Sequence, residues 1–263
     1  RSSDLQQMDI LGAPRLRLRL ACDKPQGQIA VRLNHIHPDG ASARITYGVL
    51  NLSHRDSAEH PQAMAPGTMT DITLDLDHIA YRIPKGHRVR VSISTVDWPL
   101  LWPAPEAAEV TLSSGQIDLP QRPTSGGDEY SFAPPTSAAP WETETLRPEN
   151  HIRRQEIDRV TGIVSLIIED DFGKLRDADH GLIAGSVARE VWRIHPDDPL
   201  SAKGTCHWTE ELERDDIILR TETRSQMWSD ATHFHLTARL EAYENDKLIY
   251  ERDVTEDIKR HFM

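Results

Sequence analysis

Residues 11–55 carry the clearest hydropathy pattern in the chain. Leu16, Leu18 and Leu20 alternate with Arg15, Arg17 and Arg19, a period of two that sends apolar side chains to one sheet face and guanidinium groups to the other. Ile29, Val31 and Leu33 repeat the pattern. His37-Pro38-Asp39-Gly40 is turn chemistry, with Gly40 suited to positive φ, and Ile45, Tyr47 and Val49 begin a further strand. Ile72, Leu74 and Leu76 alternate, as do Val89, Val91 and Ile93, with Pro84-Lys85-Gly86 between the two runs. Short strands are expected near Val110–Leu112 and Ile117–Leu119. Seven or eight strands at this spacing predict a two-sheet sandwich of the jelly-roll kind. No helical period persists for three turns.

The remaining pattern is also β. Val164, Leu166 and Ile168 share one face; Trp192 and Ile194 follow, then Cys206, Trp208 and Leu212, then Ile217 and Leu219. In the last hairpin Phe234, Leu236, Ala238, Leu240 and Ala242 share a face, with Phe234, Leu236 and Leu240 expected to point inward. Glu244-Asn245-Asp246 turns the chain, and Leu248 and Tyr250 run back. Consecutive strands with short turns predict an antiparallel meander, closed by a helical turn over 258–263. The chain therefore reads as all-β, a jelly-roll β-sandwich followed by a second antiparallel β-meander unit.

Charge separates the two parts. Residues 1–125 hold 13 Lys+Arg and 13 Asp+Glu, and residues 126–263 hold the remaining 17 and 29, so the whole net charge of −12 lies in the second part. Residues 120–150 are rich in Pro, Ser, Thr and Gly and lack periodicity. Tyr130, Phe132 and Trp141 punctuate them, which suggests an arm pinned to the surface rather than a solvated linker. The organisation expected is a domain over 1–125, an extended arm or linker over 126–150 and a C-terminal extension over 151–263. The acidity argues against a nucleic-acid partner, and no apolar run reaches the length of a membrane span or reads as a secretory leader. Arg1 in place of Met suggests a chain processed or excised from a longer one. Cys22 and Cys206 lie in different parts, each in a strand context. We read both as reduced and buried, which points to the cytoplasm.

Catalytic motifs are absent. There is no G-x-S-x-G elbow; the nearest sequence, Gly40-Ala41-Ser42-Ala43-Arg44, lacks the last glycine and sits in a hairpin. There is no phosphate-binding glycine loop and no C-x-x-C, and Asp171-Phe172-Gly173 reads as a turn. Among 13 histidines, His35-x-His37 and His233-x-His235 each place two imidazoles on one strand face. With Asp39, Asp75 or Asp77 nearby a zinc or calcium site could be drawn. The simpler reading is that such pairs occupy a solvent-facing side of a strand, so no metal or other cofactor is expected. One loop stands out. Residues 94–105, STVDWPLLWPAP, crowd Trp98, Leu100, Leu101 and Trp102 into a segment stiffened by Pro99, Pro103 and Pro105. It is either a cover for its own core or an apolar surface that meets another body.

The runs LGAPRLRLRLACD, QIAVRL, HPDGASARITYGVLNLSHR, YRIPKGHRVRVSIST and WPLLWPAP resemble the C-terminal domain of the cocaine esterase and X-prolyl dipeptidyl peptidase (CocE/NonD-type) family of serine hydrolases. The markers are Gly12-Ala13-Pro14, Pro38-Asp39-Gly40, Gly48, Arg55, Pro84 and Gly86-His87-Arg88. The similarity spans about residues 5–120. Residues 188–202 and the last hairpin resemble, less specifically, an extension of longer members. The resemblance implies a galactose-binding-like jelly roll that packs against an α/β-hydrolase domain carrying a Ser-Asp-His triad. That triad has no counterpart in this chain, so no catalytic residue carries over. The implied function is a non-catalytic region that buttresses the hydrolase domain and can wall its substrate pocket, with Trp98, Leu100, Leu101 and Trp102 as the docking or pocket-wall residues. A second copy of the chain is the other partner weighed. Two alternatives stay open: a self-sufficient carbohydrate-binding-type jelly-roll module that stacks sugars on Trp98, Trp102 and Trp141, and a metal-dependent enzyme built on the histidine and aspartate groups.

Overall fold

The computed structural model describes residues 7–123 and 130–262. The chain divides into two compact units, Arg1–Pro134 with Phe262–Met263, and Pro135–His261. The boundary expected at 125/126 lies outside the described residues. No α-helix occurs among them, so none is long and apolar enough to cross a membrane. All strand pairings are antiparallel.

The first unit contains eight strands: β1 (Met8–Gly12), β2 (Arg15–Cys22), β3 (Gln28–Ile36), β4 (Ser42–Asn51), β5 (Thr70–Asp75), β6 (Ile79–Ile83), β7 (Arg88–Ser94) and β8 (Val110–Asp118). They form sheets ordered β5-β2-β8 and β4-β3-β7, with β1 paired to β6. Leu16, Leu18 and Leu20 of β2, Ile29, Val31 and Leu33 of β3, and Ile72 and Leu74 of β5 meet in one core. The two three-stranded sheets therefore face each other as a sandwich, the burial that an alternating pattern demands. Three, three and two strands replace the two four-stranded sheets of a regular jelly roll.

The arginines of β2 stand outside, where neighbouring strands neutralise them. Arg15 holds Asp75 bidentately at 2.6 and 2.9 Å, Arg19 reaches Asp71 at 3.2 Å, and Arg17 pairs with Asp118. Arg15–Asp75 and Arg19–Asp71 are also direct register partners, so this face is a ladder of cross-strand ion pairs rather than a basic patch. The two short strands expected over 110–119 are one strand, β8. Its partner β2 is continuous, and the chain absorbs the mismatch as a register shift opposite Arg19/Leu20. At Gly115 a Cβ would come within 2.9 Å of Leu18 Cδ2, so the absent side chain lets β8 pass.

The second unit is one sheet of long strands. β9 (Thr143–Arg147) pairs with one end of β11 (Val164–Asp177). β10 (Asn150–Ile157), β11, β12 (Ile183–His195), β13 (Asp198–Arg214), β14 (Ile217–Ser229), β15 (His233–Glu244) and β16 (Lys247–Lys259) follow in consecutive order as a meander. Two expectations need correction. Thr143–Arg147 is a paired strand rather than part of an arm, because β11 is long enough to offer it an edge. Of the helical turn expected over 258–263, residues 258 and 259 instead end β16, whose ladder runs to the Lys259–His233 pair; 260–262 are not helical, and 263 lies outside the described residues. The β15–β16 turn has Asn245 and Asp246 both at positive φ, 47° and 64°, the geometry of a two-residue type I′ hairpin.

Because this unit has a single sheet, its alternation sorts residues onto an apolar and a polar side without enclosing a core of its own. Phe234 is buried, but Leu236 and Leu240 are half-buried, less than the inward placement expected of them. Cys22 is buried and Cys206 half-buried. Both are unpaired thiols, and burial raises both pKa values.

Candidate docking surface and histidine cluster

The Trp-Pro loop follows β7 directly. Ser94 begins it, donating its hydroxyl to the Val96 carbonyl at 2.6 Å. Asp97 then forms an ion pair with Arg32 of β3. Arg32 lies between the core residues Val31 and Leu33, so its side chain leaves on the outer face of the β4-β3-β7 sheet, and the pair ties the loop there. Leu101 N–H donates to the Asp97 carbonyl at 2.8 Å, closing a turn. Trp98 and Trp102 pack edge to face at 5.1 Å and 78°. Both are half-buried, Pro103 is buried, and Leu100 and Val96 are 56% and 49% exposed. The four expected residues therefore share one stiff loop that is neither core nor free: Trp98, Leu101 and Trp102 are half-covered and Leu100 projects.

The three tryptophans weighed as sugar-stacking candidates have different settings. Trp98 and Trp102 are nearly perpendicular, so they present no common flat face. Trp141 belongs to the second unit, where its indole N–H donates to Asp177 at 2.7 Å. Tyr130 and Phe132 are 72% and 81% exposed and pack edge to face on each other.

The two histidine pairs have different fates. His233 and His235 sit amid carboxylates. His235 Nδ1 meets Asp257 at 2.5 Å and Nε2 meets Asp230 at 3.1 Å. These bonds raise the His235 pKa, while backbone and side-chain donors hold Asp230 well below the usual carboxylate range. His35 is not on a solvent face as expected; it is 3% exposed. It continues the inward parity of Ile29, Val31 and Leu33, and the antiparallel partner β7 brings a third imidazole, His87, to the same place. Ligand nitrogens of His35, His37 and His87 all lie within 4.8 Å of one another. Burial, then the neighbouring His37 and His87, lower the His35 pKa. Asp39 and Asp75 do not join them: Asp39 accepts from Ala41 N–H and Asp75 is held by Arg15. In the sequence His87 stands out only within the Gly86-His87-Arg88 marker and not as a metal ligand. Its signal was its position two residues before Val89, on the parity of Val89 and Val91.

A cavity of about 610 Å³ opens on the polar side of the second unit, lined by Arg189, Thr205, His207, Arg224, Thr237 and Arg239 among others. Its charges are matched internally: Arg224 to Glu241 at 2.9 Å, Arg239 to Asp253 at 3.1 Å, and His207 to Glu222 at 2.8 Å.

Compared with known proteins, residues 5–140 match the X-Pro dipeptidyl-peptidase C-terminal non-catalytic domain. No curated protein matches the chain. Among solved structures, a selenomethionine-labelled α-amino acid ester hydrolase is similar at 18% identity and a TM-score of 0.43, over 44% of this chain and 24% of its own. An aminopeptidase from a marine sediment Thaumarchaeota archaeon is similar at 16% identity and a TM-score of 0.36, over 40% of this chain and 20% of its own. The matched part thus spans about a quarter or less of each of these structures.

Proposed function

The chain belongs to the X-Pro dipeptidyl-peptidase C-terminal non-catalytic domain family, and from that premise we propose that it is the accessory C-terminal region of a serine hydrolase acting on esters or X-Pro peptides and amides. In this reading the α/β-hydrolase domain lies upstream in the parent protein. The first unit, a galactose-binding-like sandwich centred on residues 1–125, buttresses that domain, and residues 151–263 extend it. The observation that carries the reading is the Trp-Pro loop. Inside the family-matched region, a proline-stiffened segment tied down by Arg32–Asp97 projects Leu100 and Val96 beside two half-buried tryptophans. Large apolar groups on a stiff loop lose little entropy on docking, and aromatic anchors dominate such contacts. We assign Trp98, Leu100, Leu101 and Trp102 to the surface that meets the hydrolase domain or walls its substrate pocket. The unpaired thiols of Cys22 and Cys206 favour a reducing, cytoplasmic setting.

The test has two parts. The chain alone should hydrolyse neither p-nitrophenyl esters nor X-Pro amides above a buffer blank, because it lacks an activated nucleophile; turnover abolished by a serine-directed phosphonate would overturn the assignment. In the parent enzyme, Trp98→Ala with Trp102→Ala should lower kcat/KM or weaken domain docking by about 2 kcal/mol or more, the scale of an interface hot spot.

A further inference from the structure

We propose that His35, His37 and His87 form a binding site for a divalent transition-metal ion of borderline softness, Zn²⁺ being the best match, with a fourth position open to water or another ligand.

Two turns build the site. His35 is the penultimate residue of β3, and His37 follows it in the turn that Gly40 N–H closes onto the His37 carbonyl at 3.0 Å. His87 precedes β7 in a turn closed by its own N–H onto Pro84 at 3.2 Å. The last register pair between the strands is Ile36–Arg88. One step further along the same ladder sets His37 opposite His87, with His35 beside them on the same face. The rings are in contact: His35 and His37 stack at 4.1 Å, His35 and His87 lie 4.8 Å apart, and His37 and His87 5.3 Å apart.

The hydrogen bonding around the cluster suits a metal. Tyr81 of β6 holds His35 Nδ1 at 2.9 Å. When that nitrogen donates to the phenol oxygen, Nε2 carries the lone pair and faces His87 Nδ1 at 2.6 Å. This is the arrangement by which an outer hydrogen bond selects the tautomer of a ligating imidazole. Other histidines of the chain differ: His151, His207 and His235 each bind a carboxylate. Among the described residues no acidic side chain forms an ion pair with His35, His37 or His87. Three imidazole nitrogens form a donor set for Zn²⁺, Ni²⁺ or Cu²⁺, and three nitrogens with no oxygen donor disfavour Ca²⁺ and Mg²⁺. Nitrogens about 2.0–2.1 Å from a tetrahedral zinc stand roughly 3.3 Å apart, so His35 and His87 must separate by several tenths of an ångström, while nitrogens now up to 4.8 Å apart close and the stacked rings of His35 and His37 tilt toward the ion. The His87 turn can yield, since Gly86 has φ +84° and open space around it. The ion would pin the end of β3 to the start of β7, a role that needs no catalytic function.

The test uses the full chain stripped with a chelator and titrated with ZnCl₂, and in parallel with CoCl₂. One equivalent should bind with a dissociation constant of about 10 μM or tighter, because three imidazoles form a donor set well suited to Zn²⁺. Co²⁺ should give visible d–d absorption, and three histidine spin systems should shift in imidazole NMR of the unaltered chain. His37→Gln and His87→Gln should each weaken binding at least about tenfold, and Tyr81→Phe should weaken it while keeping one equivalent. His235→Gln should leave binding unchanged. Both ligand variants replace half-buried side chains, and their unfolding in chelator reports whether they remain folded. Absence of stoichiometric binding to the unaltered chain would overturn the site. So would binding that survives the double variant His37→Gln/His87→Gln, or that disappears in His235→Gln.

Discussion

Replacing Leu100 with Asp separates a docking loop from a structural lid. Leu100 is 56% exposed. Fully burying a leucine is worth about 1.5–3 kcal/mol, so a partner that covers the exposed part gains about 0.8–1.7 kcal/mol from it. The remaining part packs on its own chain, and its loss costs the isolated chain about 0.7–1.3 kcal/mol by the same scale. In the docked state the new carboxylate must also leave water, a penalty of several kcal/mol for an ion without a partner. Leu100→Asp should therefore weaken docking by roughly 2–4 kcal/mol, a factor of about 30 to 1,000 in affinity, while the chain's own stability changes much less. Calorimetric titration of the chain against the separately produced hydrolase domain reads the first quantity. Denaturant unfolding of the chain alone reads the second. Equal losses in both measurements, or unchanged affinity, would show that the loop serves only its own unit.

Two further outcomes concern the second unit. Gly204 sits opposite Trp192, and an added Cβ would approach the indole at 2.6 and 2.9 Å. Gly204→Ala should destabilise by roughly 0.5–2 kcal/mol, overpacking less the gain from a stiffer unfolded chain; in a Trp192→Ala background it should be neutral or stabilising, and an equal cost in both backgrounds would refute the contact. His235 has its pKa raised above 6.5 by Asp257 and Asp230. A raised histidine stabilises fully below its unfolded pKa and loses that contribution as pH rises through the folded value. Its NMR titration should therefore fall above 6.5, and amide protection at 230–235 should decline as the pH rises through that value. His235→Gln should abolish this dependence, and a midpoint at or below 6.5 would contradict it.

Much of this protein is written in a period of two. The alternation of Leu16, Leu18 and Leu20 with three arginines, and of Ile29, Val31 and Leu33, required half-buried strands and identified the inner face, because a strand offers its side chains only two directions. The same periodicity ordered the meander of the second unit, where short turns leave few alternatives to antiparallel neighbours. The residue order excluded a nucleophile elbow, and the family markers pointed to an accessory region. Pairing between distant strands was not legible. Each pattern states which way a side chain faces but not which strand lies beside it. Hence β8 read as two strands until β2 gave it a continuous partner, and Thr143–Arg147 read as arm until β11 offered an edge. The same limit hid the histidine cluster. His35 and His37 were visible as a pair, but His87 lies 50 residues beyond His37, and only the β3–β7 register brings it to them. Tertiary structure also decided that Arg32 anchors the Trp-Pro loop through Asp97 and that Leu236 and Leu240 stay half-exposed. Burial depends on what packs against a face, and a single sheet encloses no core of its own.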